Sequence, residues 1–216
     1  MFLFLILLFP TVLCFCCFHS TKKIYGFLVA VGAFLGILAS GATALFSYMH
    51  RIPEFSVCSN FFYYFLKEYV LPLILVYALY FFTTKDSVEF KIKAFFPVAA
   101  AFYAIYMPYC VIASSSAAFS FFQLFAKPVL MLSEVFMASF FAYRIYCAAV
   151  SKDISRIIVL SFFAVVMLVI PPALETMYLL CLALPVVYII AVIFALFALV
   201  LFFINSRKDD GFIYLG

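Results

Sequence analysis

Tryptophan is absent, histidine occurs twice and charged residues make up only 10% of the chain. A soluble domain carries roughly 25% charge. With 70% hydrophobic residues, this chain cannot cover a folded surface with polar groups, so its solvent is lipid. The scarcity of polar sequence also excludes a sizeable soluble domain. The longest polar stretch is 83–93, and the tail after Ile204 has 12 residues. Catalytic and nucleotide-binding signatures are missing: there is no GxxxxGK[ST] phosphate loop, no GxGxxG, no HExxH and no Ser–His–Asp order. Among Cys14, Cys16, Cys17, Cys58, Cys110, Cys147 and Cys181 there is no paired CxxC spacing, since Cys14 and Cys17 have no second CxxC to match them, and His19 and His50 are the only histidines. This argues against a metal centre, a disulfide framework or a cofactor site. Without an aromatic-interleaved basic run, nothing points to nucleic acid. The 15 tyrosines are instead available for an interfacial belt, for example Tyr25, Tyr48, Tyr63 and Tyr64.

What the chain has is long apolar runs. A helix needs ~20 apolar residues to cross a ~30 Å hydrocarbon core. Seven stretches qualify: 2–18, 24–48, 61–83, 94–113, 127–149, 157–174 and 178–204. The stretch 157–204 would be ~72 Å of helix at 1.5 Å per residue, too long for one crossing. "PPALET" at 171–176 is the expected turn, since two prolines interrupt the ladder and Glu175 favours headgroups or water. The expected fold is therefore an all-α, polytopic transmembrane bundle of about seven helices, or six if residues 1–18 are a cleaved leader. Residues 1–204 form the single membrane domain and 205–216 a cytoplasmic tail. "SVEFKIK" at 87–93 reads as a linker.

Charge asymmetry orients the chain. Lys22, Lys23, Lys85, Lys91, Lys93, Lys152, Arg156, Arg207 and Lys208 fall on one side, and only Arg51, Lys67 and Lys127 on the other. Basic loops stay cytoplasmic. The expectation is a plasma (inner) membrane protein with its N-terminus outside and its C-terminus in the cytoplasm.

Two patterns stand out within the spans. Gly32, Gly36, Ser40 and Ala44 recur every fourth residue, the spacing that lets two helix backbones approach closely in lipid. The partner is another helix of the chain, a second copy or another membrane subunit. The second pattern is charge inside apolar helices: Lys67, Glu68, Lys127, Glu134 and Glu175. A charge near the bilayer centre costs roughly 2.5–3.5 kcal/mol by insertion scales. Glu134 therefore needs a proton, a cationic partner or a water-filled cavity, and Lys67 is the expected partner by depth. These residues form either a binding and pathway cluster or a structural one. "FFYYFLK" at 61–67 also resembles "FFQLFAK" at 121–127, which would make Lys67 and Lys127 equivalent in a duplicated hairpin.

The functional expectation is a small-solute or ion transporter, or a membrane subunit of one. The alternatives are a non-transporting assembly subunit that uses the small-residue seam, and a membrane-embedded enzyme acting on lipid through a carboxylate.

Overall fold

The computed structural model describes residues 23–49, 56–83, 87–114 and 120–208. All regular structure among them is helical, and six helices are long and apolar enough to cross a membrane. We number them α1 (Lys23–Met49), α2 (57–83), α3 (Val88–Ser114), α4 (122–150), α5 (Ile154–Leu179) and α6 (Leu184–Lys208). The expected helix at 2–18 lies outside the described residues. So does most of the expected tail, although α6 runs past the 204 boundary to Lys208.

Small residues decide how the first three helices pack. A Cβ added at Gly32 would collide with the Val98 carbonyl oxygen, and one at Gly36 would lie 2.8 Å from the Phe102 carbonyl oxygen. Hence α1 lies directly on the backbone of α3, and the two run parallel. Ser40 turns inward on its own helix and donates to the Gly36 carbonyl at 2.8 Å. Ala44 is exposed, so the close approach ends before it. Within α3, Phe96, Phe102, Met107 and Val111 fill the core beside Met131, Val135 and Phe136 of α4. The sequence 88–93 is the first turn and a half of α3 rather than a linker, and Lys91 and Ile92 are buried there. α4 is the central element and packs against α3, α5 and α6. On α6, Val187, Ala191, Phe194 and Ala198 form the inward stripe, while Ile189, Val192, Ile193 and Leu196 face outward.

The turn expected at "PPALET" does not occur. α5 continues through Pro171 and Pro172 to Leu179. A proline removes one backbone donor without forcing a helix to stop, and membrane helices tolerate this because neighbours re-satisfy the freed carbonyls. Thr176 Oγ1 donates to the Pro172 carbonyl at 2.8 Å. The chain reverses at Leu180–Ala183 instead. Cys181 takes a left-handed φ of 54°, and its amide and that of Leu182 bond to the carbonyls of Tyr178 and Met177. This is a Schellman closure made without glycine. The α4–α5 turn repeats it: Lys152 has φ 58°, and the amides of Lys152 and Asp153 bond to Ala149 and Ala148. Asp153 then caps α5 by accepting from the Arg156 amide at 3.0 Å.

Two helices contain wide turns. Phe65–Val70 in α2 and Phe122–Ala126 in α4 are π-helical, and each ends two residues before a proline, Pro72 and Pro128. The missing amides of these prolines leave the preceding turns short of a donor, so the ladder widens there. Superposing the two segments on wide turn and proline matches Lys67 with Gln123 and Lys127 with Leu71. The "FFxxFxK" resemblance is thus one helical turn out of the structural register. Lys67 and Lys127 are not equivalent positions.

Candidate functional site

The wide turn of α2 rotates Glu68 and Tyr69 into the bundle. Both are buried, whereas Lys67 is only half-buried. The turn is held open by two phenols one turn apart on α3. Tyr103 donates to the Tyr69 carbonyl at 3.0 Å, and Tyr106 donates to the Lys67 carbonyl at 2.9 Å. A Pro72 amide is not available to serve this turn, so hydroxyls from a neighbouring helix take its place.

Against that turn sits Lys127, fully buried. Its ammonium is ion-paired with the Glu68 carboxylate. It also donates to Glu175 Oε1 at 2.6 Å. The second oxygen of Glu175 accepts from the Tyr69 hydroxyl at 3.0 Å. The Tyr64 ring lies 5.6 Å from the ammonium, within cation–π reach. One lysine thus joins carboxylates from α2 and α5, and Glu175 lies inside the bundle rather than at headgroups. Its ion pair offsets the desolvation that a sequence rule assigns to a lone carboxylate. On the loop side of the cluster, Phe122 stacks on Tyr178 at 4.1 Å between ring centroids, and Tyr188 closes edge-on. This aromatic layer separates the charges from that end of the bundle.

Glu134 is the exception. It is completely buried, and neither carboxylate oxygen has a hydrogen-bond partner among the described residues. It does not pair with Lys67, whose ammonium instead meets the Tyr63 hydroxyl and lies over the Tyr63 ring. Glu134 follows Phe122 by 12 residues, or ~18 Å along the axis, about halfway across a ~30 Å core. Lys127 is seven residues nearer the loop end on the same face, ~10 Å away along the axis. The buried polar groups therefore extend from the aromatic layer to the middle of the span.

Of the five charged residues singled out from the sequence, the structure brings Glu68, Lys127 and Glu175 into contact. It sets Glu134 apart and turns Lys67 to the outside. The tyrosines that complete the cluster were missed, because composition assigned tyrosine to the interface. Tyr48 is indeed highly exposed, but Tyr69, Tyr103 and Tyr106 are core donors. The available signal was Tyr103 and Tyr106 at i, i+3 inside an otherwise apolar helix, a spacing that places both on one face. Among the described residues, no group of histidine, cysteine or carboxylate side chains is placed to hold a metal ion.

No family model matches the chain, no curated protein matches it, and no solved structure matches it.

Proposed function

We propose that the protein is a small-solute or ion transporter, or the membrane subunit of one, in the plasma (inner) membrane, with its N-terminus outside and its C-terminus in the cytoplasm. The observation that carries this reading is the charge count of the buried cluster. Two carboxyl groups, Glu68 and Glu175, face one ammonium, Lys127, and a third, Glu134, is buried deeper in the same bundle with no partner among the described residues. Fully ionised, the group has two negative charges in excess. Protons or a cation must make up the difference, and a group that takes up and releases such charge is what ion-coupled transport requires. Ionisable residues within spans mark pathways and relays, and wide or broken helices flank transporter sites. Here α2 and α4 both carry a wide turn beside the cluster.

The two alternatives have less support. The close-packing part of the seam, Gly32 and Gly36, is already covered by α3 and offers no free surface for an assembly partner. A lipid-acting enzyme needs a carboxylate at a lateral opening. Two lateral grooves, one between α1 and α2 and one between α4 and α6, are lined by none of Glu68, Glu134 and Glu175.

The test is reconstitution into liposomes that contain a pH-sensitive dye. With an imposed inside-negative potential and a panel of small solutes outside, the wild-type protein is expected to acidify the lumen faster than empty vesicles. Glu134→Gln should abolish the difference while leaving the protein folded. Wild-type vesicles as tight as empty ones, with every solute and in both orientations of the gradient, would overturn the proposal.

A further inference from the structure

The groove between α1 and α2 has a volume of about 610 Å³, and its floor is Tyr106 and Pro72. It has room because α1 presents Ala39 and Ala42 there, opposite Leu66 and Leu75 of α2. Leu66, Leu75 and Phe62 are about half exposed, so the groove opens sideways toward the surrounding lipid. Its lining is mostly apolar; the polar groups are Ser59, Tyr63 and Lys67 on successive turns of α2, and Thr43 of α1, whose hydroxyl is already bonded to the Ala39 carbonyl and lies 3.2 Å from the Tyr106 hydroxyl. The Lys67 ammonium reaches back toward the Tyr63 hydroxyl. Among the described residues no carboxylate forms an ion pair with it, because the neighbouring Glu68 is committed to Lys127. An ammonium has three donors, and one is satisfied by the phenol. A cation with donors to spare, at one end of an apolar channel open to the bilayer, is complementary to a molecule with an anionic head and a long apolar tail.

We infer that this groove binds an anionic phospholipid of the bilayer, with its phosphate at Lys67 and an acyl chain along Pro72, Leu75 and Ala42. Basic pockets between membrane helices on the cytoplasmic side hold acidic headgroups in this way, and the same charge attraction applies at Lys67, which the proposed orientation places toward the outer leaflet. The inference concerns binding alone and does not depend on transport. If the transport reading also holds, Tyr106 connects the two places. It lines the groove, and its hydroxyl holds the Lys67 carbonyl, one residue from Glu68. A lipid in the groove would then press on the wide turn that carries the buried cluster.

The test uses the full-length protein in detergent, equilibrated with equal amounts of phosphatidylglycerol and phosphatidylcholine of matched chains. Bound lipid is counted by native mass spectrometry. The wild-type protein is expected to retain phosphatidylglycerol about fivefold over phosphatidylcholine, the factor that one lysine near an acidic headgroup supplies. Lys67→Gln should erase the preference and Lys67→Arg should keep it. Ala42→Trp, which fills the groove, should reduce retention of both lipids. Each variant is compared only if it elutes as the wild type does on gel filtration. If Lys67→Gln does not fold, the wild-type headgroup preference and Ala42→Trp still decide the matter. Equal retention of the two lipids by the wild type would overturn the inference, as would an unchanged preference in folded Lys67→Gln. A photo-reactive residue at Leu75 gives an independent reading. It should cross-link to lipid, and cross-linking to residues 2–18 or to a second copy of the chain would also overturn the inference.

Discussion

Lys127→Met is expected to be the most damaging single change in the buried cluster. The lysine is fully buried and is the only ammonium, among the described residues, that faces Glu68 and Glu175. Breaking a buried pair by removing one partner costs ~3–5 kcal/mol, and here two carboxylates lose their partner at once, so the upper half of that range is expected. The carboxylates should behave differently. Glu175→Gln keeps the shape and leaves Lys127 matched one-to-one with Glu68, but its single amide oxygen can accept from Tyr69 or from Lys127 and not from both. Its loss is that of a charge-assisted hydrogen bond, ~1.5–3 kcal/mol. Glu68→Gln leaves Lys127 matched with Glu175 and should cost a similar amount. Neutralising all three with Gln, Met and Gln should recover much of the loss, since apolar or neutral replacements of buried ion pairs are often no worse than the originals. The assay is the midpoint of unfolding in detergent, followed by circular dichroism and by loss of the monodisperse gel-filtration peak. Lys127→Met and Glu175→Gln losing the same stability would refute the two-to-one geometry. A triple variant that is simply the sum of three losses would show that the groups do not interact.

Two further changes probe the scaffold. Gly36→Leu inserts a side chain where even a Cβ would lie 2.8 Å from the Phe102 carbonyl. It should lower stability by at least the ~1–3 kcal/mol typical of overpacking, while Ile37→Leu, at an exposed site, should change little; equal thermal midpoints for the two would place the α1–α3 contact elsewhere. Lys152→Gly relieves a left-handed backbone at φ 58° on the exposed α4–α5 turn, worth ~1–2 kcal/mol, against ~0.4–1 kcal/mol lost because glycine loosens the unfolded chain, so a small net stabilisation is expected and a clearly lower melting temperature for this variant would contradict the Schellman closure.

The helices were legible because apolar length is a local property. Each described span overlaps a run that hydropathy alone marks out. Their ends were less so. The α4–α5 and α5–α6 turns use Lys152 and Cys181 where a glycine signal would be sought, and the two prolines that looked like a break sit inside a helix. The site was legible as a set of expensive residues but not as a constellation. Depth along the membrane can be counted from sequence, whereas rotation about a helix axis and the choice of partner cannot. Lys67 and Glu68 show this most directly. They differ by one position, or ~100° of rotation. The wide turn at Phe65–Val70 sets which of them faces inward. Glu68 meets a lysine from α4, and Lys67 is left on the lateral groove with a phenol.

The placement of Glu175 follows from the same non-local choice. Alone, a carboxylate in that stretch belongs at the membrane boundary, and a turn there is the cheaper arrangement. With Lys127 at 2.6 Å, 48 residues away in sequence, burial becomes tolerable and α5 runs on past it. Glu134 has no such partner among the described residues, although it lies deeper. The bundle could have placed an apolar residue there, as it does at Met131, Val135 and Phe136 on either side. Nothing in the described packing requires a carboxyl group at that position. A fully buried acid with no hydrogen-bond partner among the described residues, at mid-membrane depth, is therefore the residue on which the transport proposal depends most.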